Sequence, residues 1–175
     1  MQLRTLYLHW VDLNANNHLV GELREFIEPN KVVYEIEYYK ECVDYLSSTF
    51  PYFDRISGCP YEKRLLFRYT NRYPWFILER TPNDKRPDLQ TLLNEANLKY
   101  YDRWEYLIWN HGVCNVDRYF VSTIKGDRDF KHPWLHDWTI RHYNESKSIN
   151  ESKSINESKS TNGSPSKLKD SNLFK

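Results

Sequence analysis

The chain has 175 residues, and its 25 basic and 24 acidic side chains leave a formal net charge of +1 at pH 7. This length is that of one domain, and this charge balance excludes a strongly basic protein that coats nucleic acid. No apolar run approaches the roughly 20 residues of a membrane-spanning helix, and residues 1–10 do not match a secretory signal, so no membrane contact is expected.

The first third of the chain is predicted to begin with a central strand. Residues 3–12 carry apolar side chains at alternating positions on both faces, as in a strand inside a sheet. Residues 19–27 have apolar side chains at helical spacing, which predicts a helix, although Gly21 counts against it. The alternative for this segment is a strand paired with the next one through a turn at residues 28–31.

The next elements are predicted as a strand, a helix and a hairpin. A short strand from residue 32 leads into a helix that begins at about Glu41, because the later apolar residues are spaced three and four apart. Residues 62–70 and 74–80 both resemble strands and are separated by a short polar stretch. They are predicted to form an antiparallel hairpin.

The remainder of the domain is predicted to be mainly helical. Residues 88–96 form a helix capped by its first residue, and a second helical pattern starts at residue 98 and stops at Gly112. Residues 117–124 predict a strand, and the aromatic residues 132–143 predict a short closing helix or arm. Because strands and helices are mixed without a βαβ repeat, we predict an α+β fold, in which two to four helices pack a small antiparallel sheet.

The composition changes sharply after Tyr143. From Asn144 the chain repeats the six-residue unit NESKSI with little variation, and of the 6 Trp, 14 Tyr and 8 Phe only Phe174 lies in this stretch. Such a segment has too little apolar surface to offset the entropy of ordering. We therefore predict a single α+β domain over residues 1–143 and a disordered, low-complexity tail of six-residue tandem repeats over residues 144–175.

Charge is unevenly distributed along the predicted domain. Residues 22–54 hold eight acidic and three basic side chains, and residues 55–86 hold eight basic and three acidic ones. One interpretation is that these two segments are neighbours whose surface charges complement each other. The other interpretation is a dipolar surface that steers a charged partner.

The first candidate site is the basic part of the predicted hairpin, where arginines alternate with aromatic residues. Its candidate binding residues are Arg64, Arg68, Arg72, Tyr73 and Trp75. Tyr, Trp and Arg are concentrated in the energetically important parts of protein interfaces, which favours another protein as the partner. Aromatic rings also stack on unpaired bases while arginines hold phosphates, so the alternative is a single-stranded nucleic acid bound through the 64–75 hairpin. A sheet with an apolar inner face and an arginine-bearing outer face would account for the same pattern.

Two further segments contain histidine and cysteine. No metal site is predicted, but His132, His136 and His142 are the candidate ligands, because the first two are four residues apart, as on one helical face. His111 and Cys114 would supply a base and a nucleophile if they met in space. They follow a predicted helix C-terminus, which raises the pKa of a thiol rather than lowering it. For both segments we favour a structural role.

The remaining patterns argue against common cofactor chemistry. The three cysteines are widely spaced and form no C-x-x-C pair, which is typical of a reduced, cytoplasmic protein. No Walker A, G-x-G-x-x-G or G-x-S-x-G motif occurs. We therefore predict no cofactor, and a non-catalytic protein-interaction or regulatory module that acts through the aromatic and arginine surface. A metal- or thiol-dependent enzyme is the remaining alternative.

Overall fold

The computed structural model describes residues 1–133 of the chain. Its strands and helices are β1 (Gln2–Val11), β2 (Asn17–Glu28), β3 (Lys31–Tyr38), α1 (Lys40–Thr49), β4 (Leu66–Thr70), α2 (Trp75–Arg80), α3 (Leu89–Glu95), α4 (Arg103–Trp109) and β5 (Tyr119–Ser122). The five strands form one antiparallel sheet in the order β4-β3-β2-β1-β5.

The predicted α+β fold is confirmed, since an antiparallel sheet is combined with four helices in the described part of the chain. The predicted boundary at residue 143, the predicted tail and most of the segment 132–143 lie outside the described residues. Within residues 1–133, no helix combines the length and the apolar character needed to cross a membrane.

One face of the sheet packs with the helices to form the core. Alternate residues of β1 lie on this face, so that Leu6, Leu8 and Trp10 are each at most 1% exposed. The same core includes side chains from the other strands and from three helices: Leu23, Ile36, Phe67, Val121, Leu46, Phe76 and Leu107. Burial of one such side chain contributes about 1.5–3 kcal/mol, so this apolar face holds the sheet and the helices together.

The opposite face of the sheet, here called the polar face, carries charged side chains across β2, β3 and β4. Nη2 of Arg24 lies 3.2 Å from a carboxylate oxygen of Glu35, and Arg24 also pairs with Glu37. Nε of Arg68 donates a hydrogen bond to Oε1 of Glu35 over 2.7 Å. Since Glu35 belongs to the acidic segment and Arg68 to the basic one, this contact supports the interpretation that the two segments complement each other.

The segment 19–27 is a strand, and the predicted helix is wrong. β2 pairs with β3 through a tight turn in which Glu28 lies opposite Lys31, as in the alternative interpretation. Gly21 provides the physical reason, because a Cβ on this residue would lie 2.1 Å from the carbonyl oxygen of Glu37. Only glycine permits this close approach of the two strands, whereas glycine inside a helix is unfavourable.

The second strand of the predicted hairpin, over residues 74–80, is also wrong, because these residues form α2. Pro74 precedes the helix with a φ of −56°, which is compatible with a helix start. The buried residues Phe76, Ile77 and Arg80 recur at helical spacing. β4 therefore has only β3 as a strand neighbour in the described sheet.

The segment 123–132, here called the strap, follows β5 and covers the polar face at the β1–β5 end. Nε2 of His9 accepts a hydrogen bond from the backbone N–H of Asp127 over 3.1 Å. Nδ1 of His9 lies 3.1 Å from the carbonyl oxygen of Tyr7, so the neutral ring carries its proton on Nδ1. Phe120 stacks on this ring, at 4.6 Å between centroids. Burial of the ring lowers the pKa of His9.

Acidification below about pH 6.5 is expected to weaken the folded state through His9. The folded-state pKa lies below the ordinary value of 6.5, so the unfolded chain binds the proton more readily. The contribution of the neutral His9 ring to the free energy of unfolding is therefore complete above pH 6.5, and it is lost as the pH falls through the lower folded-state pKa. His132, whose pKa is also lowered by burial, acts in the same direction.

An NMR titration of the His9 ring nitrogens measures this directly. At pH 6.5 we expect fewer than half of the His9 rings to be protonated, and the thermal unfolding midpoint to be lower at pH 5.5 than at pH 7.5. Half-protonation of His9 at pH 6.5 or above would contradict the buried, neutral ring.

Candidate functional site

β4 is one edge of the sheet, and within residues 1–133 no other strand pairs with its outer side. On its inner side, the N–H of Tyr38 donates to the carbonyl oxygen of Leu65 over 2.9 Å, and the N–H of Asn71 donates to that of Val32 over 2.8 Å. Backbone direction alternates along an antiparallel strand. The odd-numbered residues of β4 therefore turn their backbone groups toward β3, and the even-numbered residues turn theirs away from it.

The even-numbered residues Leu66, Arg68 and Thr70 form the outer side of this strand, here called the β4 edge. All three are exposed; Leu66 is 41% exposed and the side chain of Arg68 is 63% exposed. Backbone groups without a strand partner at a sheet edge are a template for pairing with another chain. The β4 edge thus presents backbone donors and acceptors to the solvent.

Two arginines flank the β4 edge on the core side of the sheet. The guanidinium carbon of Arg64 lies 4.5 Å from the centre of the Phe67 ring, and that of Arg72 lies 5.5 Å from the centre of the Tyr69 ring. Among the residues described, no carboxylate forms an ion pair with either arginine. Both are exposed, and a cation over a ring at an exposed site is worth only about 0.5–1 kcal/mol. Their charge is therefore accessible to a partner.

The third arginine, Arg68, lies on the polar face. It pairs with Glu35, which is 4% exposed and also pairs with Arg24. Arg24 also pairs with Glu22 and Glu37, so Arg68 belongs to a network of two arginines and three carboxylates. Arginines consequently stand on both faces of the sheet along the β4 edge.

The two aromatic candidates differ in their surroundings. The Tyr73 ring lies 5.1 Å from the Tyr34 ring, and the guanidinium carbon of Arg103 lies 5.2 Å from it. Trp75 is the first residue of α2, is 55% exposed and donates its indole N–H to Glu79. The structure thus brings the three predicted arginines together around β4, packs Tyr73 against β3 and α4, and leaves Trp75 exposed on a helix.

A shallow groove of about 250 Å³ lies beside the β4 edge on the polar face. Phe26 of β2 and Val33 of β3 supply its apolar part, and the rest of its lining is polar: Glu28, Lys31, Glu35, Arg68 and Thr70. The sequence prediction missed this groove because it treated residues 19–27 as a helix. The signal that would have found it is Phe26, an apolar residue at an outward position of β2.

The thiol of Cys114 lies next to a carboxylate rather than a base. Its Sγ is 3.7 Å from Oδ1 of Asp117, and burial raises the pKa of the thiol. Asp117 also pairs with Arg80, whose side chain is fully buried. The His111 ring packs on Phe130, at 4.6 Å between centroids. These contacts favour a neutral thiol and support a structural role for this segment.

His132 is the member of the predicted histidine group that falls within the described residues. It is 6% exposed, and burial lowers the pKa of its ring. Residues 1–133 contain no group of three or more side chains that could hold a metal ion. His136 and His142 lie outside the described residues, so the prediction for these two positions stays a prediction.

No protein-family model, curated protein or solved structure matches the chain. The features that matter are the exposed backbone of the β4 edge, the three arginines around it and the adjoining groove.

Replacement of both Arg64 and Arg72 by alanine is expected to leave the fold intact. Each substitution removes one exposed cation–ring contact, so the free energy of unfolding should fall by about 1–2 kcal/mol in total. Urea denaturation followed by tryptophan fluorescence measures this.

Asp117→Asn is the contrasting variant, because it removes the closer of the two carboxylates that pair with the buried Arg80 and leaves only Glu79, at 3.6 Å. Breaking one side of a buried ion pair costs about 3–5 kcal/mol. If the double alanine variant were destabilised as much as Asp117→Asn, Arg64 and Arg72 would be structural residues that are not free for a partner.

Proposed function

We propose that the chain is a non-catalytic protein-interaction module whose binding surface is the β4 edge with its surrounding arginines. One observation carries the proposal: an edge strand with exposed backbone groups has Arg64 and Arg72 on one face and Arg68 on the other. Such a strand can bind a polypeptide through its backbone, and the arginines can select the partner by charge.

The composition of this surface supports a protein partner. Arginine and tryptophan are enriched among the residues that dominate protein interfaces, and Trp75 is 55% exposed. Arginine binds carboxylates through several N–H donors in a fixed plane, which gives directional as well as electrostatic recognition.

A single-stranded nucleic acid is the second candidate, supported by the two arginines that pair with no described carboxylate. Base stacking, however, needs an accessible ring face. Phe67 is 2% exposed and is contacted by Arg64, and Tyr73 packs against both Tyr34 and Arg103. Tyr73, at 40% exposed, and Trp75, at 55%, keep ring surface for stacking, so it is the exposed backbone of the β4 edge that favours the protein partner.

An enzyme centred on Cys114 receives less support. Burial raises the pKa of this thiol, which donates to the carboxylate of Asp117 over 3.7 Å. A nucleophilic cysteine requires the opposite environment, one that stabilises the thiolate.

A pull-down from cell lysate with the full chain, run with and without nuclease, tests the proposal. The unchanged chain and the Arg64→Ala/Arg72→Ala variant are compared by quantitative mass spectrometry of the proteins they capture. We expect at least one protein to be captured by the unchanged chain and reduced at least tenfold with the variant, because removal of an arginine–carboxylate hydrogen bond from an interface costs about 1.5 kcal/mol or more.

Arg128→Ala/Lys99→Ala is the matched control, since it removes two exposed positive charges elsewhere on the surface. The control should capture the same protein as the unchanged chain. Equal capture by all three chains would overturn the proposal, and capture that disappears with nuclease would transfer it to the nucleic-acid alternative.

A further inference from the structure

Resting on the proposed function, we infer that the partner binds by adding a strand to the β4 edge, and that the added segment is an extended, acidic stretch of polypeptide. The inference depends on three properties of the surface: the direction of its backbone groups, the distribution of its charges and the groove beside it.

The backbone of the β4 edge has the spacing of a strand that lacks its neighbour. Leu66, Arg68 and Thr70 each direct one N–H and one C=O outward. From Leu66 to Thr70 the strand extends about 13 Å, at roughly 3.3 Å per residue. A partner segment of about five extended residues therefore satisfies these donors and acceptors.

The charges around the edge select an acidic segment. Residues 62–72 contain four basic side chains and one acidic one, and the acidic one, Glu62, is bonded to Arg55. Side chains of an added strand alternate between the two faces of the sheet. An acidic residue opposite Arg68 shares that arginine with Glu35. Acidic neighbours on the other face approach Arg64 and Arg72, which pair with no carboxylate among the described residues, and these two arginines supply most of the preference.

The position of Arg68 at the centre of the β4 edge disfavours a second copy of this chain as the partner. Antiparallel pairing of two β4 edges centred on Arg68 would place the two Arg68 residues directly opposite each other. Like charges at opposing positions destabilise strand pairing, and a positive charge on an edge strand is a known protection against self-association. An acidic partner removes this repulsion.

The groove adds a preference for an apolar residue. Its apolar lining is Phe26 and Val33, and its polar lining includes the carboxylates of Glu28 and Glu35 beside Lys31, Arg68 and Thr70. The two carboxylates disfavour an acidic residue inside the groove. On an added strand, the residue opposite Thr70 lies two positions from the residue opposite Arg68 and on the same face. The favoured segment thus combines an acidic residue with an apolar one two positions away.

Thr70→Pro tests the binding mode. It removes an outward N–H that makes no hydrogen bond to β3, and proline is accepted on the solvent side of an edge strand. Thr70→Val is the matched control, because it keeps the N–H and a β-branched side chain. If Thr70→Pro does not fold, Leu66→Pro with Leu66→Val replaces the pair, since the N–H of Leu66 also points outward.

The probe is a phage-displayed library of random ten-residue peptides selected on the full chain. We expect selected peptides to be enriched in Asp and Glu, to contain β-branched or aromatic residues and to lack proline at the centre. They should bind Thr70→Val as tightly as the unchanged chain and Thr70→Pro at least tenfold more weakly. The inference is overturned if the selected peptides are not enriched in acidic residues, or if they bind both variants equally tightly. It is also overturned if selection on the unchanged chain recovers no more peptide than selection on the Thr70→Pro variant.

Two further measurements identify other occupants. Binding of a 20-residue thymidine oligonucleotide that depends on Arg64 and Arg72 but not on the Thr70→Pro change would assign the surface to nucleic acid. A dimer in sedimentation equilibrium that is lost with Thr70→Pro would assign the edge to a second copy. Either result overturns strand addition by an acidic partner.

Failure of this inference is distinguishable from failure of the proposed function. A captured protein that is lost with Arg64→Ala/Arg72→Ala but retained by Thr70→Pro leaves the proposed function standing and removes strand addition. Capture that is insensitive to the arginine substitutions removes the proposed function itself.

Discussion

The pairing register between β3 and β4 is the constraint on which the rest of the structure depends. It places Ile36 opposite Phe67 and Glu35 opposite Arg68, so that Phe67 enters the core and Arg68 meets its carboxylate on the polar face. Because side chains alternate with a period of two, a slip of one residue would bury Arg68 and expose Phe67. The apolar core, the ion pair and the outward backbone of the β4 edge are therefore three consequences of one register.

Among the described residues, the strap covers one end of the polar face and leaves the other end exposed. The proposed binding surface lies at the exposed end. At the β1–β5 end the strap is held by the His9–Asp127 hydrogen bond and packs near the stacked ring of Phe120. At the β4 end, the residues that the structure describes leave Leu66, Arg68 and Thr70 exposed. A positive edge resists pairing with its own copy but attracts an acidic strand, which makes an exposed edge compatible with selective binding.

The local pattern of the sequence predicts those elements whose type does not depend on tertiary contacts. Apolar spacing predicts β1, the succession of β3 and α1, and α3. The side chain of Asp88 makes no capping hydrogen bond to α3, and α4 begins at Arg103, later than its pattern indicates. The errors over residues 19–27 and 74–80 arise where tertiary contacts decide. The close approach of β2 to β3 at Gly21 leaves no room for a side chain. Burial of the adjacent residues Phe76 and Ile77, with Leu78 exposed, follows one face of a helix rather than the alternation of a strand. The arginines of the candidate site stand out in the sequence, but the face that each occupies follows from strand pairing, and so does the groove.

Amide hydrogen exchange along β4 in the free, full-length chain tests the central claim most directly. The account predicts an alternating pattern, in which the N–H groups of Leu66, Arg68 and Thr70 exchange rapidly and those of Phe67 and Tyr69, which bond to β3, are protected. Uniform protection of all five amides would show that the outer side of β4 is already paired, and would contradict an edge that is open to a partner.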